Sequence, residues 1–199
     1  MTFVSAVSSD GQRFKIFPNG TWELERSVPP DTAGFRSSSW GAAIDEVKAR
    51  ENTDLIVEQD DLLAYKTAVG GLSSLAAFDF VDGHLVMGRY VIDVEHANPN
   101  GFLVDFKSLT ALLKKKYGPA STSDVFWHNE LFHDDYSQWG LAISIGHVSF
   151  FETWDEAATH IELQLHGDNH QVRLQIMYQS HALKHLLDAK HEQSALDGL

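Results

Sequence analysis

His128-Asn129-Glu130-Leu131-Phe132-His133-Asp134-Asp135 is the densest run of acid–base side chains in this chain of 199 residues. A histidine beside a carboxylate is the pair that general acid–base catalysis uses, provided the two converge in a cleft. A solvated acidic loop has the same composition and is the simpler reading. The run supports a small hydrolase or metal-dependent enzyme only as the alternative. Eleven histidines also raise the question of metal. His181 and His185 stand four apart in a segment that reads as helical, so they would share a face. A zinc protease needs Glu directly after the first histidine, and Ala182 stands there. Asp188 and His191 extend this group, and His166, Asp168 and His170 bracket a turn. Solvated histidines account for both, so no metal and no cofactor is expected.

Other chemistries are excluded more firmly. The chain has no cysteine, which removes disulfides, thiolate nucleophiles, thiolate metal sites and Cys-ligated iron–sulfur clusters. No Gly-x-Ser-x-Gly elbow surrounds Ser8-Ser9, Ser37-Ser38-Ser39 or Ser73-Ser74. Gly70-Gly71 precedes a strand and not a helix, so it cradles no phosphate. Dinucleotide and Walker A patterns are both missing. No catalytic residue is assigned. Lys and Arg total 15 against 28 Asp and Glu, a net charge of −13. That excess disfavours nucleic acid, whose phosphates need cationic partners, and an anionic membrane surface. Lys114-Lys115-Lys116 close a helix and are too few to reverse the balance. No run of about 18 apolar residues spans a bilayer. The opening residues lack the basic and apolar regions of a signal peptide. The chain reads as cytoplasmic.

The elements that must position these side chains fall into three parts. Residues 1–34 read as a β-ribbon and a linker. Asp10-Gly11 and Asn19-Gly20 are two-residue hairpin signals that place Val7 opposite Phe14 and Phe17 opposite Trp22. Pro29-Pro30 marks the linker, Arg26–Gly34. Residues 35–97 form a first helix-plus-sheet unit. Trp40, Ile44 and Val47 recur at helical spacing up to about Glu51. Strand-like runs follow at 62–69, 73–81 and 84–93, and Asp82-Gly83 sets Phe80 opposite Leu85 and Phe78 opposite Met87. Residues 98–199 form a second unit. Its helix carries Phe102, Phe106, Leu109 and Leu113 in one stripe, widened by Leu112, and Gly118-Pro119 ends it. Strands are expected at 124–127 and 148–151, helices at 136–145 and 181–196.

The best-specified register lies at 158–179. A turn at Asp168-Asn169 pairs Leu165 with Val172, Leu163 with Leu174 and Ile161 with Ile176 on one face. The other face pairs His166 with Gln171, Gln164 with Arg173 and Glu162 with Gln175. A slip by one residue would bury charge. Each half thus runs helix, then strands ending in a tight hairpin. The fold class is α+β: duplicated helix-plus-antiparallel-sheet units with an N-terminal β-ribbon, helices on one sheet face and the other face open.

Several short motifs carry a resemblance. Asp10-Gly11 with Ile16 and Asn19-Gly20-Thr21-Trp22-Glu23 is similar to a β-ribbon of many uncharacterised bacterial proteins. Phe35-Arg36, Trp40-Gly41 and Glu46-Val47 resemble the opening of a helix-plus-hairpin unit of bacterial envelope proteins. Lys116-Tyr117-Gly118-Pro119, Trp154 and Thr159-x-Ile161 resemble the rest of that group. The tandem layout is similar to that of the β-lactamase inhibitor proteins and, per unit, of the BamE lipoproteins. The resemblance implies protein binding without catalysis. This chain differs from both in lacking a signal, a lipidated cysteine and disulfides.

These observations lead to one expectation. The chain is a non-catalytic interaction module whose open polar face, with Glu162, Gln164, His166, Arg173 and Gln175, meets a protein partner or a second copy of itself. An apolar small-molecule binder, filled between sheet and helices by the many Phe residues, is the remaining alternative.

Overall fold

In the computed structural model, residues 4–7, 13–16, 18, 21–25 and 34–197 are described. The chain divides into two units, Met1–Thr32 and Ala33–Leu199. The first holds an antiparallel ribbon of β1 (Val4–Val7), β2 (Arg13–Ile16) and β3 (Trp22–Glu25). The Asp10-Gly11 and Asn19-Gly20 turns, Phe17 and linker residues 26–33 lie outside the described residues. The strands pair one residue away from the predicted register. Val7 faces Arg13 and not Phe14, and Trp22 faces Ile16.

The second unit is an α+β structure. A short pair, β4 (Gly34–Phe35) and β5 (Ser38–Ser39), precedes α1 (Ile44–Arg50). Then come β6 (Leu55–Gln59), β7 (Leu62–Val69), β8 (Leu72–Val81), β9 (His84–Ile92) and α2 (Gly101–Tyr117). β10 (Thr122–Trp127) leads through two 3-10 turns to α3 (Trp139–Ser144), β11 (Val148–Asp155), β12 (Thr159–Asp168), β13 (Gln171–Ser180) and α4 (Lys184–Asp197). One eight-stranded antiparallel sheet results, in the order β10-β11-β12-β13-β9-β8-β7-β6. Each half runs from a helix into a four-stranded meander, and the two meanders join through their last strands, β9 and β13. No described helix is long and apolar enough to cross a membrane.

The β12–β13 hairpin keeps the predicted faces and corrects the predicted pairs. Leu165 faces Leu174, Leu163 faces Ile176 and Ile161 faces Tyr178. The turn is Asn169-His170, one residue later than expected, with both φ values positive at 49° and 62°. A tight hairpin turn of this kind needs two left-handed residues, and His tolerates that conformation better than most. Moving the turn by one changes each partner by two positions, so the side-chain faces survive. Ile161, Leu163 and Leu165 are buried.

The first meander shows a second correction. Phe80 faces Leu85 as the Asp82-Gly83 turn predicts, but a bulge between Asp79 and Phe80 sets Gly88, not Met87, opposite Phe78. That glycine has a packing reason. The Phe35 ring lies over it, and a Cβ at 88 would stand 2.1 Å from that ring. Phe35 also meets Phe78, Tyr90 and Tyr178, so one ring closes the β9–β13 seam. Trp40 precedes α1 instead of joining its stripe. It is buried, and its indole N–H donates to Thr159 Oγ1 at 2.9 Å.

α2 lies on β12 and β13 and α3 on β11, β12 and β13. Leu103, Phe106, Leu109 and Leu113 are the buried apolar side chains of α2, and Asp105 is the buried polar one. Leu112, expected to widen the stripe, is 47% exposed, because the sheet contact is turned toward Leu103. α4 takes a different place. It touches β8 and β9, and Lys190 Nζ lies 2.6 Å from Asp61 Oδ2. Lys190 also acts on Asp79, whose side chain alternates away from Phe78 and Phe80. α4 therefore caps one corner of the polar side.

A candidate interaction face

Alternation along β12 and β13 sends Ile161, Leu163, Leu165, Leu174 and Ile176 inward and forces Glu162, Gln164, His166, Arg173 and Gln175 to the other side. The observed register sets Gln164 across from Gln175, His166 across from Arg173 and Glu162 across from Met177. All five residues singled out in the sequence are thus gathered on one face. Gln175 Nε2 donates to Gln164 Oε1 at 2.8 Å, and Gln164 Nε2 donates to Glu162 Oε1 at 2.6 Å. His160 continues the row. It lies 3.9 Å from Glu162 Oε2 and pairs through Nδ1 with Asp155 Oδ1 at 2.7 Å. Gln175 is buried, so its amide serves to fix Gln164. Arg173 is exposed, and its guanidinium makes no hydrogen bond or ion pair among the described residues. Beside the row, Arg89 grips Asp79 through two hydrogen bonds of 2.9 and 2.7 Å. Burial raises the Asp79 carboxyl above its usual range, and Arg89 opposes that rise.

His166 makes the face sensitive to pH. Burial, with the Arg173 charge adding to it, lowers its pKa below the ordinary 6.5. The unfolded chain then takes up a proton that the folded chain resists. Stability is expected to be level above the unfolded value and to fall as pH drops through it. His166→Gln should remove part of that fall. Urea unfolding at about pH 7.5 and about pH 5.5, on either side of the histidine range, reads the difference.

The His128–Asp135 run does not converge. Asn129 Oδ1 accepts from Leu131 N–H, and Asp135 Oδ1 accepts from Ser137 N–H and Oγ–H. These polar groups therefore cap the 3-10 turns Glu130–Phe132 and Tyr136–Gln138. His133 pairs only with its neighbour Asp134 at 2.9 Å, both exposed, and its ring meets Trp127. His128 lies 3.5 Å from Ser149 Oγ. The histidines of the tail are no closer to a site. His181 precedes α4 and bonds to Glu156 O, and His185 Nδ1 bonds to Ala182 O. Among the described residues, no three His, Asp or Glu side chains are grouped as for a metal.

One His–carboxylate pair has no signature in the sequence. His96 Nε2 lies 2.6 Å from Asp105 Oδ2, beside a surface hollow of about 350 Å³ that also includes His170 and Ser144. The two residues are nine apart across a loop and a helix, and only folding brings them together. A Cβ on Gly101 would lie 2.4 Å from His96 Nδ1, so the ring packs flush on the first turn of α2. Its edge meets Phe102. The pair pins the loop after β9 to the helix.

An eight-stranded antiparallel sheet with α2 and α3 on its apolar side and a hydrogen-bonded polar row on the other defines an α+β protein. No protein family, curated protein or solved structure matches the chain.

Proposed function

We propose that this protein is a non-catalytic interaction module that holds a protein partner, or a second copy of itself, on the polar side of the sheet. The observation that carries the reading is the Glu162–Gln164–Gln175 row with the uncommitted Arg173 beside it. A row fixed by its own hydrogen bonds loses little side-chain entropy when a partner arrives. An exposed arginine next to ordered amides is the kind of anchor that interfaces favour. Neither nucleic acid nor an anionic membrane suits the charge of −13.

A photo-crosslinking amino acid at the exposed position 171, on the same face as Arg173, compared with one at the exposed position 112 on α2, tests this. In an extract of the cells that make the protein, position 171 should give a discrete crosslinked species and position 112 none. Gln164→Trp should abolish the species by bulk, and light scattering should show whether it is a second copy. A strict monomer that crosslinks to nothing from position 171 would falsify the proposal.

A further inference from the structure

β10 is an edge strand with an unusual lack of protection. It pairs with β11 alone. His128 N–H donates to His147 O at 2.7 Å. Inward bonding alternates along an antiparallel pair, so the N–H and C=O groups of Ser123 and Val125 point to the free side. Proteins usually blunt such an edge with Lys, Pro or a bulge. The opposite edge, β6, has a bulge between Leu55 and Val57 and an ion pair from Glu58 to Lys48. β10 has an unbroken register, no Lys and no Pro. It shows Val125 at 49% and Phe126 at 51% exposure.

Two further features bear on what could cover it. A groove of about 340 Å³ runs between α2 and β10, walled by Leu103, Phe106, Val125, Trp139 and Phe150. Alternation puts Ser123 and Val125 on the groove side and Asp124 and Phe126 on the other. The surroundings are acidic. Asp124 and Glu130 are exposed and make no ion pair among the described residues, and Asp134 and Asp135 follow in the next loop. The cations at the groove are engaged, Lys107 with Tyr136 Oη and Lys114 with Glu152.

We propose that β10 is a docking edge for an extended segment of a partner protein in which apolar residues alternate with Lys or Arg. The segment adds a ninth strand. Its apolar side chains enter the groove, and its basic ones meet Asp124 and the carboxylates beyond the strand. Charge decides against a second copy, which would bring another −13 and the same carboxylates to the same edge. This surface is separate from the Glu162–Gln175 row, and its test does not depend on that row.

Three labelled peptides of about nine residues, enough to span β10 at strand rise, serve as probes of the full chain by fluorescence anisotropy. One alternates Lys and Val, one Glu and Val, one Lys and Ser. The Lys–Val peptide should bind at least about tenfold more tightly than either of the others. Val125→Lys and Asp124→Lys should each weaken it by about tenfold, while Ile56→Lys on the opposite edge leaves it unchanged. Val125 and Asp124 are exposed, so circular dichroism should show both variants folded. Equal binding of the Lys–Val and Glu–Val peptides, or of the Lys–Val and Lys–Ser peptides, would overturn the proposal. So would unchanged affinity in folded Val125→Lys, or a dimer of the native chain that Val125→Lys dissolves.

Discussion

Trp154→Ala is expected to remove about 3–5 kcal/mol of folding stability, the range for truncating a fully buried aromatic side chain. Trp154 sits on the inner side of β11 at 1% exposure, across from Ile161. Its indole N–H donates to Gly118 O at 3.0 Å. Gly118 is the residue that ends α2, at a positive φ of 85°. One side chain thus fills the core and ties the end of the main helix to the sheet. Trp154→Phe separates the two contributions. It keeps most of the apolar volume and loses the donor, so it should cost about 1–3 kcal/mol. Urea unfolding followed by circular dichroism measures both. A cost for Trp154→Ala below about 1 kcal/mol would mean that the site closes over the lost ring, contrary to its close packing.

The strands that could be read from the sequence are the longer apolar runs bounded by turn residues. β7, β8 and β9 are such runs, set off by Gly70-Gly71 and Asp82-Gly83, and fall within a residue or so of expectation. β6 has one half-buried residue among exposed ones, so it sent no such signal. An edge strand is made by its partner and not by its own pattern. The inner and outer faces of β12 and β13 were legible for the same reason that the pairs were not. Period-two alternation is blind to a shift of two, and only the left-handed φ of His170 decides the turn. The bulge at Asp79 and Phe80 is equally silent, because an extra residue on β9, Val86, leaves no mark in the run of apolar side chains there.

The candidate site divides in the same way. Alternation alone places Glu162, Gln164, His166, Arg173 and Gln175 on one face. It says nothing about which amide bonds to which, or that Gln175 is buried. His96 and Asp105 were invisible because their contact depends on where the loop after β9 meets α2. The docking edge was half visible. Asp124 to Trp127 reads as a strand, but its place at the margin follows from the sheet order. One signal was available and unused. Phe150, Glu152 and Trp154 share a face by alternation, so a carboxylate had to point inward. An inward carboxylate demands a cation, and the lysines that close α2 lie on the helix packed against that face.

That cation is Lys114, and the pair predicts an asymmetry between its two members. Glu152 is 6% exposed, faces Leu163 on the inner side and lies 3.1 Å from Lys114 Nζ through Oε2. Ser123 Oγ is a weaker neighbour at 3.4 Å. The Lys114 side chain is 43% exposed, against 9% for Glu152. Lys114→Met strands the buried carboxylate. Full burial of both partners would cost about 3–5 kcal/mol, and water reaching the vacated lysine position reduces that to about 2 kcal/mol. Glu152→Leu leaves a lysine that can turn to solvent, so its cost should stay under about 1 kcal/mol. In the double variant the stranded charge is gone and two apolar chains meet. Its stability should return to within about 1 kcal/mol of the native chain or exceed it, giving a coupling of at least about 1 kcal/mol and up to about 3 kcal/mol. Urea unfolding of the four proteins closes the cycle. If Glu152→Leu proves the costlier single change, the carboxylate contributes more than the lysine answers. The inner face of β11 would then have to be assigned a different polar partner.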